Sequence, residues 1–174
     1  MPQNLKSILF ACLALTLFMS CGASKRNKVV VKKSRTETSK PTTVEPSSQA
    51  EDIIDVALSY EGTRYKYGGT TKKGMDCSGL IYTSFKSKDI LMPRTTTDLS
   101  SHGDWVDVKK VIPGDLVFFA TRKNSRKVNH VGIVTEVSSG DFSFIHASSS
   151  RGVMVSKLSD TYWYKAYVQA RRVL

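Results

Sequence analysis

One cysteine of this sequence, Cys77, lies where its thiol could act as a nucleophile. Cys77 lies in the stretch Met75-Asp76-Cys77-Ser78-Gly79, and the apolar-periodic run that follows predicts a helix from Cys77 to about Lys86. Asp76 is of the right type for the N-cap of this helix. Because the unpaired N–H groups and the macrodipole at a helix start favour an anion, we expect the thiol to be shifted toward thiolate, the form that attacks carbonyl carbon. A buried structural cysteine is the alternative.

A thiol nucleophile needs a base, and the base needs a third group that orients it. The chain has three histidines. His102 lies in a polar segment and is expected at the surface, whereas His130 and His146 lie in apolar, strand-like stretches. A single histidine in such a stretch is usually a hydrogen-bonded core residue. Two of them downstream of a helix-start cysteine indicate a thiol–imidazole site.

A zinc site is a competing interpretation of the same residues. Cys77 and the three histidines are of the types that bind zinc. The sequence contains neither Cys-x-x-Cys nor His-x-x-x-His spacing, so we expect no metal and no other cofactor.

The elements that must position these residues fall into two groups. Helices come first: the capping-box pattern Ser48-x-x-Glu51 opens one, Cys77 opens the second, and a short one is expected between Pro93 and Gly103. Strands follow, predicted over residues 116–119, 128–137, 142–147, 152–158 and 167–173. Helices followed by strands with short connections predict an α+β domain, with a five- to six-stranded antiparallel sheet.

The first twenty residues predict an export signal. A positive start with Lys6 precedes the apolar run 8–18, which is too short to span a bilayer comfortably. The run ends in Leu17-Phe18-Met19-Ser20-Cys21-Gly22, which resembles a bacterial lipoprotein signal with cleavage before Cys21 and lipid on its thiol. An ordinary secretory signal is the alternative. Cys77 is then the only cysteine left unmodified in an exported chain, and a disulfide to Cys21 is disfavoured because Cys21 ends a flexible tail.

Residues 21–47 predict a disordered basic tether, and residues 48–174 predict one domain. From Gly22 onward the tether holds seven lysines and arginines against two glutamates, without an aromatic residue. Such a tail next to a lipid anchor is typical of a tether at an anionic membrane surface, although a merely solvated linker fits equally well. The net charge of the whole chain is +11, but the basic residues of the domain are scattered, so we expect no nucleic-acid binding.

Six motifs follow one another along the chain: Arg64-Tyr65-Lys66-Tyr67-Gly68-Gly69, Asp76-Cys77-Ser78-Gly79, Pro93-Arg94-Thr95, Pro113-Gly114-Asp115-Leu116-Val117-Phe118-Phe119, Asn129-His130-Val131-Gly132-Ile133 and Ile145-His146-Ala147. Together they resemble the NlpC/P60 family of papain-like cell-wall peptidases, in its small lipoprotein branch. The resemblance implies Cys77 as nucleophile, His130 as base and His146 as its orienting residue. It also implies Tyr65 as an accessory residue near the thiol, and Asp76, Ser78 and Arg94 along the substrate groove.

The resemblance has a consequence for strand register. If Ser139-Gly140 closes a two-residue hairpin, paired residue numbers sum to 279 and His146 lies opposite Ile133. His130 and His146 would then point to opposite faces of the sheet. A triad therefore requires a bulge or register break between these strands.

The function implied by the resemblance is hydrolysis of amide bonds in peptidoglycan stem peptides. The bond is the D-alanyl–diaminoacyl cross-link or the γ-D-glutamyl–diaminoacyl bond. The expected protein is a monomer, anchored at Cys21 to the outer membrane and facing the periplasm. A non-catalytic murein-binding lipoprotein, and an amidase or acyltransferase on the same fold, are the alternatives.

Overall fold

The computed structural model describes residues 46–174. The predicted export signal, Cys21 and nearly all of the predicted tether lie outside the described residues. The helices are α1 (Ser48–Leu58), α2 (Cys77–Lys86), α3 (Thr96–Leu99) and α4 (Thr161–Ala166), with a 3₁₀ turn at Val108–Lys110. The strands are β1 (Thr70–Thr71), β2 (Gly74–Met75), β3 (Asp104–Val106), β4 (Leu116–Phe119), β5 (His130–Ser138), β6 (Asp141–Ser148), β7 (Gly152–Lys157) and β8 (Tyr167–Arg172).

The main sheet has six antiparallel strands in the order β3-β8-β4-β5-β6-β7, and β1 and β2 pair separately as a small hairpin. The predicted α+β class with an antiparallel sheet is therefore confirmed. Strands β3 and β8 are neighbours although they lie far apart in sequence. The chain thus returns across the sheet after β7, and α4 makes that connection.

Each face of the sheet carries its own apolar cluster. Side chains of α1 and α2, among them Ile53, Leu80 and Phe85, pack against one face. The other face packs against Trp163 of α4, with Phe119 and Phe144 among its buried members. Burying one such large side chain contributes about 1.5–3 kcal/mol, so both faces hold the sheet in place.

Helix α1 begins one residue earlier than the capping-box pattern predicts. The N-cap is Ser47, whose hydroxyl accepts a hydrogen bond from the N–H of Ala50 at 3.2 Å. Ser48 is the first helical residue instead of the cap. Both serines suit the cap position, and the type of residue alone does not distinguish them.

A buried ion pair explains the Pro113-Gly114-Asp115 motif. Asp115 is 2% exposed, and its carboxylate accepts two hydrogen bonds of 2.8 Å from the guanidinium of Arg172. It also accepts one from the N–H of Ile112. The motif therefore joins the start of β4 to the end of β8.

Within residues 46–174, none of the helices has both the length and the apolar character needed to cross a membrane.

Candidate active site

The start of α2 is built around the Asp76 carboxylate. One oxygen accepts the N–H of Gly79 and the other accepts the N–H of Gly68, each at 2.6 Å. The predicted N-cap is therefore confirmed. A Cβ on Gly79 would lie 2.1 Å from the carbonyl oxygen of Gly69, so only glycine lets the glycine-rich loop come this close to the helix.

Cys77 is 7% exposed, and its Sγ atom lies 3.6 Å from Oγ1 of Thr96. Burial raises the pKa of the thiol, although the hydroxyl of Thr96 and the N–H of Val131 offset part of the rise. The expectation that the helix start shifts Cys77 toward thiolate is therefore wrong for the resting protein. Desolvation of the sulfur outweighs the hydrogen bonds that stabilise the thiolate, so the thiol is protonated at neutral pH.

The strands β5 and β6 contain the register break that a shared site requires. Near the turn, Ser138 pairs with Asp141 and Glu136 with Ser143, as a two-residue hairpin predicts. The register then shifts between Val134 and Glu136, so that Gly132 lies opposite His146. A strand position two residues from Gly132 shares its face, so His130 and His146 point to the same side. The predicted irregularity is confirmed.

The two imidazoles belong to a chain of hydrogen bonds. Nε2 of His130 lies 3.0 Å from Nδ1 of His146, and Nε2 of His146 lies 2.9 Å from Oγ of Ser156. Two proton arrangements fit this chain. In one, His130 donates to His146, and His146 donates to Ser156. This arrangement leaves Nδ1 of His130 with a free lone pair, which is what a general base requires.

Burial keeps both imidazoles neutral. It lowers the pKa of His130 to about 4 and that of His146 to about 3, and the charges of His130 and Arg151 add to the effect at His146. His146 has no exposed surface at all. At neutral pH the resting site therefore holds a neutral imidazole pair and a protonated thiol.

Trp163 packs against both imidazoles. Its ring stacks on His130 with 5.4 Å between centroids and meets His146 edge-on at 4.6 Å. A tryptophan face stabilises a cation, so it would favour the imidazolium that forms when His130 takes a proton. Sequence reasoning missed Trp163 and Ser156. The aromatic run Tyr162-Trp163-Tyr164 was the available signal for α4, but six residues are too few to show a helical period.

Gly132 makes the approach of the two strands possible. A Cβ at this position would lie 2.7 Å from Cδ2 of Phe144 and 2.8 Å from the carbonyl oxygen of Ile145. It would also lie 3.3 Å from Cβ of His146. The glycine of the Asn129-to-Ile133 motif therefore leaves room for the packing around His146.

The guanidinium of Arg94 is hydrogen-bonded to residues at the start of α2 and is not free to bind a ligand. It donates to both carboxylate oxygens of Asp76 at 3.0 Å and to Oγ of Ser78 at 2.8 Å. Burial alone would raise the pKa of Asp76, but the hydrogen bonds from Arg94 and Gly79 outweigh it and hold the pKa below its usual range. The three predicted groove residues do lie together. Because Asp76 neutralises Arg94, the guanidinium is not a free cation for a carboxylate of the substrate.

Two cavities meet at Cys77. The first, of about 360 Å³, is lined by Cys77, His130, Arg151 and Trp163 among others, and the second, of about 380 Å³, by Asp76, Ser78, Arg94 and their neighbours. Both are lined by Tyr65, Cys77 and Asn129. Burial and the nearby Cys77 and Asp76 raise the pKa of Tyr65, so its hydroxyl is a neutral donor beside the thiol.

The residues of the zinc alternative do not all come together. His102 is exposed in the turn after α3, and it lines neither of the two cavities. Among residues 46–174, no cluster of three or more Cys, His, Asp or Glu side chains could hold a metal ion. Cys77 and His130 line the same cavity, although none of the hydrogen bonds of the described residues joins them.

Comparison with known proteins agrees with this architecture. The chain is 42% identical over 122 residues to the probable endopeptidase NlpC of Escherichia coli K12, which covers 70% of this chain and 76% of that protein. It is 40% identical over 123 residues to the murein DD-endopeptidase MepS/murein LD-carboxypeptidase of the same strain, covering 70% and 62%. It also resembles the crystal structure of an NlpC/P60 family protein from Bacillus cereus ATCC 10987, with a TM-score of 0.64 and 33% identity. That match covers 73% of this chain and 41% of the other.

The family assignment follows from the sequence profile and the relatives together. The NlpC/P60 family profile matches residues 62–172, which is more than half of the chain and includes Cys77, His130 and His146. The chain belongs to the NlpC/P60 family.

Proposed function

We propose that this protein is a cysteine peptidase that hydrolyses amide bonds in the stem peptides or cross-links of peptidoglycan. The observation that carries the proposal is the hydrogen-bond chain from His130 through His146 to Ser156, beside a cavity lined by Cys77. The relative named as a murein DD-endopeptidase supports the choice of substrate.

The reaction begins with a proton transfer in the neutral site. Nδ1 of His130 accepts the proton of the Cys77 thiol as Sγ attacks the carbonyl carbon, and the imidazolium is stabilised by His146 and the face of Trp163. Closure of the Cys77–His130 distance accompanies substrate binding, because catalytic hydrogen bonds tighten in the complex. Because proton transfer to His130 and attack by Sγ occur together, the resting protein needs no free thiolate.

The negative oxygen of the tetrahedral intermediate needs donors. The N–H of Cys77 lies at the first position of α2, where the helix offers it no carbonyl partner. The protonated hydroxyl of Tyr65 lines the same cavity and is the second donor. The His130 imidazolium then gives its proton to the departing amine, and water hydrolyses the Cys77 thioester with His130 again as base.

The second cavity receives the acyl half of the substrate. Asp76, Ser78 and Arg94 form its polar wall, and their mutual hydrogen bonds give that wall a fixed shape. Within the network Arg94 holds Asp76 ionised and in place. The Ser78 hydroxyl donates to Asp76 and accepts from Arg94, and it keeps one lone pair for the bound peptide.

The experiment is digestion of purified muropeptides, with the new ends assigned by mass spectrometry. We expect dimers joined by D-alanyl–diaminoacyl bonds to become monomers with intact stems. Shortened stems that end after glutamate would establish the γ-D-glutamyl bond instead. Release of whole peptides from the sugar would identify an amidase, and absence of any product would favour a murein-binding role.

We further propose that Cys21 carries lipid and anchors the chain to the outer membrane on its periplasmic side. The basis is the lipoprotein-like signal around Cys21 and the basic segment that follows it. Substituting Cys21→Ala should release a soluble protein that still digests isolated murein. Recovery of the unaltered protein without lipid from the periplasm would contradict the anchor.

A further inference from the structure

We infer that Arg151 determines specificity for the amine half of the substrate, by binding a carboxylate next to the amine that leaves. The substrate class this selects is a cross-link to a diamino acid with a second carboxylate, such as diaminopimelate, in preference to lysine. The inference rests on the proposed function and deepens it.

The amine half occupies the first cavity. The departing amine must take its proton from His130, and His130 lines the first cavity but not the second. The acyl half therefore extends into the second cavity, past Asp76 and Arg94. Cys77 lies where the two cavities meet, as a nucleophile between the two halves of a peptide must.

Arg151 is the charged group that this cavity offers. The other side chains that line it are neutral at pH 7, since burial keeps His130 uncharged. No salt bridge of the described residues includes Arg151, and its one hydrogen bond runs from its backbone N–H to Oγ of Ser148. In the second cavity, by contrast, Asp76 already neutralises Arg94.

The β6–β7 turn that carries Arg151 is fixed to the body of the domain. The next residue, Gly152, has φ +77°, and a Cβ there would lie 2.2 Å from the carbonyl oxygen of Thr63. Val153 donates its N–H to that carbonyl at 2.8 Å and accepts the N–H of Gly62. The guanidinium is also close enough to lower the pKa of the buried His146. The backbone that carries the charge is therefore fixed close to the reacting groups.

The leaving amines of diaminopimelate and of lysine differ in the groups on the carbon next to them. In a diaminopimelate cross-link, the carbon that bears the leaving amine also bears a carboxylate. The terminal amine of lysine sits on a methylene carbon without one. A guanidinium binds a carboxylate with two parallel hydrogen bonds, whereas it gains little from a methylene group.

Three matched muropeptide dimers test the inference: one with diaminopimelate, one in which that carboxylate is amidated, and one with lysine. We expect kcat/KM of the unaltered protein to be at least about 10-fold higher for the free carboxylate, the lower end of the range for a charged hydrogen bond because Arg151 is exposed. Arg151→Gln should remove this preference, by lowering kcat/KM for the free-carboxylate dimer to the level of the other two dimers. Arg151→Lys should restore part of it.

Lys123→Gln is the control, because it removes the same charge from an exposed residue that lines neither cavity. Equal kcat/KM for the three dimers, or a preference that survives Arg151→Gln, would overturn the inference while the proposed function stands. If none of the dimers were cleaved, the proposed function would fail and the inference with it.

Discussion

Removing the Ser156 hydroxyl should disable the base without touching either imidazole. Oγ of Ser156 lies 2.9 Å from Nε2 of His146, and the two residues are 7% and 0% exposed. In Ser156→Ala, the Nε2 proton of His146 has no acceptor. An unpaired buried donor costs about 1–3 kcal/mol.

The imidazoles can escape this cost by changing tautomer. If His146 carries its proton on Nδ1, that proton needs Nε2 of His130 as acceptor. His130 must then hold its own proton on Nδ1, where the base needs a lone pair. A cost of about 1–3 kcal/mol therefore converts to a fall in kcat/KM of roughly 5-fold to 150-fold.

Steady-state hydrolysis of a muropeptide dimer measures the fall, and nitrogen NMR of the imidazoles reads the tautomer directly. Ser156→Thr retains a hydroxyl and should keep most of the activity. Ser143→Ala removes a serine hydroxyl from β6 outside both cavities and should change neither reading. Wild-type kcat/KM in Ser156→Ala, with the unchanged tautomer, would refute the proton chain.

Three further predictions concern the pH dependence of activity, the pH dependence of stability and the packing at Gly132. Because His130 has a pKa of about 4, kcat/KM should fall on acidification with a midpoint near 4, and a midpoint near 6.5 would show a solvated base. The pKa of His146 lies at about 3, below its unfolded value near 6.5, so the unfolded chain binds the proton first and stability falls as pH drops below 6.5. Between pH 6.5 and 5, protonation of this group in the unfolded chain should lower the free energy of unfolding by about 2 kcal/mol, measured with denaturant. In His146→Gln the free energy of unfolding should fall by that much less over the same range. The same pH dependence in the variant and the unaltered protein would contradict the assignment. Gly132→Ala should cost about 1–3 kcal/mol of stability, because the new methyl group displaces the strand that carries His146. It should lower kcat by a larger factor than it raises KM. Unchanged stability in thermal unfolding would show that the strand accommodates the methyl group without cost.

Much of the site's framework could be predicted from the sequence because its signals are local. Helix α2 runs over the predicted residues, and Asp76 caps it as its type and place indicate. The register break between β5 and β6 was predicted from the family resemblance, because arithmetic on a two-residue turn alone places His130 and His146 on opposite faces.

The parts that could not be predicted depend on contacts between distant segments. Ser156 meets His146 only through the register of β6 with β7, where Phe144 lies opposite Ser156. Trp163 reaches the imidazoles from a helix too short to show a period. Neither the partner of Arg94 nor the burial that outweighs the hydrogen bonds to the Cys77 sulfur can be predicted from the residue types alone.

The central claim is that Cys77 attacks the substrate carbonyl and forms a thioester. The most direct measurement is rapid-quench mass spectrometry of the protein mixed with a muropeptide dimer, followed by peptide mapping. We expect an adduct on the Cys77 peptide whose mass equals the acyl half of the substrate, and no adduct in Cys77→Ala. Hydrolysis at the normal rate in Cys77→Ala, or an acyl group mapped to another residue, would contradict the account.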